Sequence, residues 1–173
     1  RPRTDRSELE KYHEGLIALS ACLAGEVQRY LVRGLYDEAK KTAQRYEACF
    51  GKGNYFLELQ DHGIPDQKTV NAGLMRLSQE LGIELVATND VHYTYAEDWE
   101  AHDILLCLQT GKKLSDENRM RYEGGQYYVK SEEEMRRLFP YAAQAIENTQ
   151  KIADRCHVEI EFGVTKLPKF DVP

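Results

Sequence analysis

The sequence predicts an α/β fold in which parallel strands are separated by amphipathic helices. Three short apolar segments, residues 16–20, 55–60 and 84–89, have the length of buried strands. Between them, residues 36–50 and 66–81 repeat apolar side chains at helical spacing. Strands joined through such helices form βαβ units, which give a parallel sheet with right-handed crossovers.

Length, composition and charge exclude several classes of protein. A chain of 173 residues with 42% apolar content corresponds to one ordinary domain. Its 29 acidic and 23 basic residues give a net charge of −6, which argues against a stand-alone nucleic-acid binder. The absence of a membrane-length apolar run and of a signal-peptide core argues against membrane and secreted proteins. We therefore expect a cytoplasmic location.

The four cysteines are widely spaced, without a CxxC pair, which favours a reducing compartment over a disulfide framework. Cys49, Cys107 and Cys156 lie in helix-like patterns and are predicted to be buried core thiols. Cys22 follows a strand instead, and it is considered below.

Capping signals place the helices of the first half. A Ser-x-x-Glu pattern predicts a short helix from Ser7. Residues 23–31 and 36–50 follow as helices, and the next helix is predicted to begin at Asp66 as N-cap and to end at Gly82.

The second half is predicted to be mainly helical. Residues 97–109 form a helix, 111–125 a polar loop, and Ser131 begins a capping box for another short helix. A longer helix is predicted over 141–156, and the tail, 157–162, has the pattern of one more strand.

Polar side chains follow each predicted strand on one face, whereas the other face is apolar throughout. Alternate positions give Ser20 and Cys22 after the first strand, Gln60 and His62 after the second, and Thr88, Asp90 and His92 after the third. The carboxyl ends of parallel strands meet at one edge of a sheet, where α/β proteins place their sites. Thiolate, imidazole and carboxylate are ligands for zinc and similar ions, so this edge is a candidate metal centre.

Alternatives remain open for individual residues. His62 lies in a turn and is as well suited to supporting a ligand or contacting substrate as to direct ligation. Glu58 and Gln60 either orient ligands from below or form ordinary interior hydrogen bonds. We interpret Lys112, Lys113, Arg119 and Arg121, beside several tyrosines, as a solvated loop, with contact to a phosphate backbone or to an acidic neighbour as the alternatives. His13, His102 and His157 are interpreted as structural or surface residues.

No phosphate-binding loop, GxSxG elbow or HExxH motif is present in the sequence. Several longer segments, however, resemble one family in their order and spacing. They are GLIALSACL (15–23), FLELQDHG (56–63), VATNDVHY (86–93), AHD (101–103) and YVKSEEEM (128–135). From about Glu14 onward the chain resembles the N-terminal PHP (polymerase and histidinol phosphatase) domain of the alpha subunit of bacterial DNA polymerase III, the C-family replicative polymerases.

The resemblance implies a distorted (βα)7 barrel with a metal centre at the carboxyl ends of its strands. By motif, Cys22, Asp90 and His92 match metal-ligand positions, for a divalent ion of zinc or manganese type, whereas His62 falls in a motif not usually counted among the ligands. Residues 1–96 would then be the second half of the barrel and 97–173 a helical C-terminal part of the same domain. The remaining metal ligands would lie upstream of this chain, which starts without methionine, and the polymerase domains would lie outside it. This fragment alone is therefore expected to be inactive.

For the intact protein, the resemblance implies a DNA-directed DNA polymerase with a metal-dependent phosphoesterase or 3′–5′ exonuclease site in its PHP domain. Its partners would be DNA, the other polymerase domains and subunits of the replication complex. Two other functions stay open, a non-catalytic scaffold that stabilises the polymerase and a stand-alone phosphoesterase of histidinol-phosphatase type. Because a partial barrel leaves open sheet edges, we also expect a homodimer, a swapped element, or an edge covered by the C-terminal segment.

Overall fold

The computed structural model describes residues 3–165 and 167. In chain order, the elements of this part are α1 (Arg6–Tyr12), β1 (Ala18–Leu19), α2 (Glu26–Val32), α3 (Tyr36–Phe50), β2 (Tyr55–Leu59), α4 (Pro65–Leu81), β3 (Leu85–Ala87), a 3-10 helix (Ala96–Asp98), α5 (Trp99–Thr110), a second 3-10 helix (Glu123–Gly125), α6 (Glu132–Leu138) and α7 (Ala143–Ala153). None of these helices is long and apolar enough to cross a bilayer.

The three strands form one parallel sheet in the order β1-β2-β3. Ala18 pairs with Tyr55, and Leu57 pairs with Leu85. All five residues of β2 are buried, as expected for the central strand of a sheet that is covered on both faces. The parallel α/β sheet predicted from the sequence, consistent with part of a PHP-type barrel, is confirmed.

The core lies between the sheet and the helices. α2 packs against α3 and α4, α4 also contacts β2 and β3, and α7 packs against β3. Leu57, Leu59, Leu74 and Leu77 have no exposed surface. Burying each such side chain stabilises the fold by roughly 1.5–3 kcal/mol, so this strand–helix layer holds the sheet in place.

The C-terminal segment covers the outer edge of β3. The Thr88 N–H donates to the Leu59 carbonyl at 3.1 Å, so by alternation the Leu85 peptide groups turn away from β2. Asn148 on α7 donates its side-chain N–H to the Leu85 carbonyl at 2.8 Å. Of the three ways of protecting an open edge considered above, this contact supports cover by the C-terminal segment.

Two predicted helix starts are wrong by one or two residues. α1 is capped by Asp5, whose carboxylate accepts the Glu8 N–H at 3.0 Å, so Ser7 lies inside the first turn. α4 begins at Pro65 rather than after an Asp66 cap, because proline fits the first helical position without needing a hydrogen-bonded N–H. By contrast, the bounds predicted for α3 are confirmed.

The capping box of α6 is confirmed in both directions. The Glu134 N–H donates to the Ser131 hydroxyl at 3.3 Å, and the Ser131 N–H donates to the Glu134 carboxylate at 2.7 Å. This reciprocal pair satisfies two backbone donors at the start of the helix.

The predictions for the tail and for one cysteine are wrong. Residues 157–162 form no strand among the described residues, and all six are exposed. Cys156 is exposed because α7 ends at Ala153, before the apolar face reaches that position. Cys107 is buried as predicted, and Cys49 is half-buried.

Candidate functional site at the carboxyl edge of the sheet

A buried carboxylate links all three strands. Glu58 of β2 accepts the Ala21 N–H at 3.0 Å from the segment after β1 and the Thr88 hydroxyl from the segment after β3. The Gln60 side chain donates to the same carboxylate at 3.1 Å. Glu58 and Gln60 therefore form interior hydrogen bonds, and Glu58 also supports the segment that carries a candidate ligand.

The turn after β1 is held on both sides. Ala21 has a φ of 68°, a left-handed conformation that non-glycine residues seldom adopt. Its N–H is bound by Glu58, and its carbonyl accepts the Gln28 side-chain N–H at 2.8 Å. Gln28 also donates to the Ser20 hydroxyl at 2.6 Å. The backbone that leads into the half-buried Cys22 is thus fixed by buried polar side chains.

The turn after β3 contains the second left-handed residue. Asp90 has a φ of 43°, and the preceding Asn89 is buried. The Asn89 side chain donates to the carbonyls of Gln126 and Tyr128 at 2.8 and 2.7 Å. The Asn89 carbonyl in turn lies 3.0 Å from Nε2 of His62. This turn is therefore tied both to the end of β2 and to the distant 126–128 segment.

His62 is buried with both ring nitrogens occupied. Its backbone N–H donates to Oε1 of Gln67 at 2.7 Å, which orients the Gln67 NH2 group toward Nδ1 of the ring, 2.8 Å away. Nδ1 is then an acceptor, and Nε2–H donates to the Asn89 carbonyl. The ring stacks on Tyr127 with centroids 4.0 Å apart, and burial lowers the pKa of His62. Of the predicted alternatives, this geometry favours support of a neighbouring ligand over contact with metal or phosphate.

His92 has the arrangement expected of a metal ligand. Its Nδ1 lies 2.5 Å from the Asp90 carbonyl, so in the neutral ring Nδ1–H donates there and Nε2 keeps its lone pair. The His92 backbone N–H donates to the Tyr127 carbonyl at 2.8 Å. Ligating histidines are commonly oriented by such a hydrogen bond from the second nitrogen to a carbonyl.

An aromatic cluster surrounds His92, and the sequence did not indicate it. The His92 ring lies 4.3 Å from Tyr122 and 5.5 Å from His102, between centroids, and Tyr127 meets it edge-on. Burial raises the pKa of the Tyr122 and Tyr127 hydroxyls, and the nearby negative charges of Asp90 and Cys22 raise it further. His92 therefore packs against a pair of tyrosines, Tyr122 and Tyr127.

The structure thus brings Cys22, Asp90 and His92 to one edge, but not into a complete coordination sphere. Within residues 3–165 and 167, no group of three or more His, Cys, Asp or Glu side chains is placed to hold a metal ion. Their chemistry fits a divalent ion, because thiolate, carboxylate and imidazole are ligands that zinc and similar ions accept. These residues supply donors, and a bound metal would need further ligands.

Arg119 is not solvated, so that interpretation is wrong for this residue, whereas the alternative of contact with an acidic neighbour is confirmed. Its guanidinium binds both carboxylate oxygens of Asp103 on α5, at 2.5 and 2.7 Å, and only 4% of the side chain is exposed. The bidentate pair occupies the guanidinium, so Arg119 is unsuited to binding a phosphate backbone.

Comparison with known proteins shows which proteins this chain resembles. A family model described as the PHP domain matches residues 1–62. The DNA polymerase III subunit alpha of Treponema pallidum is 46% identical over 173 residues, and that of Borreliella burgdorferi is 45% identical over 174 residues. The protein of that name from Thermus aquaticus is 38% identical over 179 residues. This chain is homologous to the alpha subunits of DNA polymerase III.

The alignments cover all of this chain but only a small part of each relative. In each of these three comparisons, all of this chain is aligned, and it covers 15% of the length of the alpha subunit. The PHP match ends at His62, so it includes Cys22 but not Asp90 or His92. The last two residues therefore depend on the similarity to the alpha subunits and on the geometry described above.

Proposed function

We propose that this chain forms part of the PHP domain of a replicative DNA polymerase and contributes Cys22, Asp90 and His92 to a divalent-metal centre for phosphoester hydrolysis. The single observation that carries the proposal is the geometry of His92. Its Nδ1 is fixed by the Asp90 carbonyl, which leaves Nε2 of the neutral ring available as a ligand atom.

Each of the three side chains would donate one ligand atom to a zinc- or manganese-type ion. Such an ion supplies a hydroxide nucleophile and stabilises negative charge on the phosphodiester oxygens. The chain's own contribution is to hold the donors at the carboxyl edge of the sheet. His62 takes no part in ligation in this proposal, because both of its ring nitrogens are bound by protein groups.

For the whole protein, we infer a DNA-directed DNA polymerase of the bacterial cytoplasm with a metal-dependent 3′–5′ exonuclease site. DNA, the remaining polymerase domains and other subunits of the replication complex would be its partners. The support is the identity of 38–46% over the whole chain with proteins named DNA polymerase III subunit alpha.

Degradation of a 3′-labelled primer by the complete gene product tests the proposal, with metal content measured on the same samples. We expect Asp90→Asn and His92→Gln to lower the rate of primer degradation at least tenfold and to leave primer extension unchanged. Glu97→Gln is the matched control, because it removes an exposed carboxylate from the neighbouring 3-10 helix. Equal degradation by Asp90→Asn and Glu97→Gln would overturn the catalytic proposal.

One observation favours a scaffold as the second candidate function. α5 exposes Leu105 and Leu108, which keep 61% and 74% of their surface accessible. Neighbouring apolar side chains of this size usually mark a protein interface. If primer degradation never depends on Asp90, we propose that the domain serves the polymerase through surfaces such as this one.

A further inference from the structure

We propose that Glu58 and His62 are positioning residues, which set the two left-handed turns that present Cys22 and Asp90. This inference rests on the proposed metal-dependent function and assigns a role to residues that do not bind metal themselves. Both residues come from β2 or the turn that follows it, and each binds the backbone of one of the two turns.

Glu58 acts on the turn after β1. Ala21 has no side chain that would favour its φ of 68°, so its conformation depends on contacts from elsewhere. Oε2 of Glu58 accepts its N–H at 3.0 Å, and Gln28 binds its carbonyl from the other side at 2.8 Å. Ala21 is directly bonded to Cys22, so this clamp sets the direction in which the thiol leaves the backbone.

His62 acts on the turn after β3. Its Nε2–H donates to the Asn89 carbonyl, which belongs to the peptide group whose nitrogen is that of Asp90. Fixing this peptide plane restrains the backbone of Asp90 on its N-terminal side, where φ has its left-handed value. The Asp90 carbonyl then accepts Nδ1–H of His92, so the orientation passes from His62 to both candidate ligands.

Gln67 on α4 holds the imidazole in the tautomer that this role requires. It accepts the His62 N–H and donates to Nδ1, so the proton of the neutral ring lies on Nε2. The stack on Tyr127 keeps the ring plane in place at an interplanar angle of 9°. A rigid imidazole whose donor is aimed at one carbonyl is a support for the backbone.

Binding of Co²⁺ to the complete gene product tests this proposal, because Co²⁺ bound to a thiolate has a charge-transfer absorption band that reports on Cys22. We compare Glu58→Met, which approximately retains side-chain volume but removes the oxygen that accepts the Ala21 N–H, with His62→Phe, which retains the aromatic stack. The matched control is Asn148→Ala, since it also removes a side-chain hydrogen bond to a backbone carbonyl of this sheet, at Leu85.

We expect both variants to bind Co²⁺ about 10–100-fold more weakly than the wild type, as is typical when a residue that orients a ligand is replaced. Glu58→Met should also weaken the thiolate band, whereas His62→Phe should leave that band intact. Asn148→Ala should bind Co²⁺ like the wild type. If Glu58→Met does not fold, Gln28→Met replaces it, because it releases the same turn at the Ala21 carbonyl.

Two different failures are distinguishable in this experiment. A wild-type protein that binds no Co²⁺ would overturn the proposed metal centre and the positioning role with it. A wild-type protein that binds Co²⁺, with both variants indistinguishable from Asn148→Ala in affinity and spectrum, would overturn the positioning role alone. Loss of thermal stability without a change in Co²⁺ affinity would count as the second result.

Discussion

Replacement of Gly25 by alanine should disturb the turn that carries Cys22 without straining its own backbone. Gly25 is the N-cap of α2, with φ −60° and ψ 151°, values that alanine adopts freely. A Cβ at this position, however, would lie 2.2 Å from the Ser20 carbonyl oxygen and 2.6 Å from Oε1 of Gln28. It would also lie 3.0 Å from the Cys22 carbonyl oxygen. The expected effect is therefore a steric clash with the turn.

The size of the effect follows from what would have to move. Ordinary contacts of a Cβ begin at 3.4 Å, so the contact with Ser20 is about 1.2 Å too short. Ser20 is not free to withdraw, because its N–H donates to the Phe56 carbonyl at 3.0 Å and its hydroxyl accepts the Glu58 N–H at 2.8 Å. Overpacking of this kind costs about 1–3 kcal/mol, and a clash with backbone atoms favours the upper half of that range.

Urea unfolding followed by circular dichroism measures this loss. With a slope of about 2 kcal/mol per molar urea, the midpoint for Gly25→Ala should fall by about 1–1.5 M. Gly73→Ala is the control, because its Cβ would meet only the flexible end of Leu31, at 2.8 Å. Alanine also gains about 0.5–1 kcal/mol over glycine inside a helix, so this control should be close to neutral. Equal midpoints for the two variants would refute the reasoning.

Four further predictions concern pH, helix capping, the ionisation of Glu134 and the sheet edge. Burial lowers the pKa of His62, so the unfolded chain takes up a proton at higher pH than the folded chain does. The free energy of unfolding should therefore fall as the pH drops below about 6.5. Urea unfolding at a series of pH values measures this dependence, and His62→Phe should make it weaker. Ser131→Ala removes the N-cap of α6 and should cost about 0.5–2 kcal/mol in the same assay, with an unchanged midpoint as the contrary result. The Tyr128 hydroxyl and then Ser131 lower the pKa of Glu134 to about 2, so NMR titration should find this carboxylate ionised at pH 4, whereas a midpoint near the ordinary 4.5 would contradict the capping geometry. Asn148→Ala frees the edge of β3 and should increase self-association in sedimentation velocity, whereas an unchanged mass distribution would show that the contact does not protect the edge.

The regular part of the fold could be predicted because its signals are local. The apolar repeat of α3 and the capping box at Ser131 are each contained within one element, and both are confirmed. β1 is shorter than predicted, since only Ala18 and Leu19 have partners on β2. Strand length is set by the neighbouring strand, which the apolar segment alone does not encode.

The polar interior and the aromatic cluster were less accessible to sequence reasoning. Alternation along the strands predicted that the polar positions share one edge, but not that His62 would be buried with both nitrogens occupied. Tyr122 and Tyr127 reach His92 because the chain returns past β3, where Tyr93 forms a bridge with Tyr128. Contacts between residues this far apart leave no periodic signal in the sequence.

The polar centre of the sheet is hard to explain by stability alone. Glu58 is buried in the central strand, and no basic side chain is among its hydrogen-bond donors in the described part of the chain. Burying a carboxylate is costly, and replacing a hydrogen-bonded set of buried groups by apolar side chains of similar shape is often neutral or stabilising. Apolar residues in place of Glu58, Gln60 and Thr88 together would therefore serve the sheet at least as well. What they would not provide is an acceptor for the N–H of Ala21, next to Cys22, and this difference ties the carboxylate to the candidate site rather than to the core.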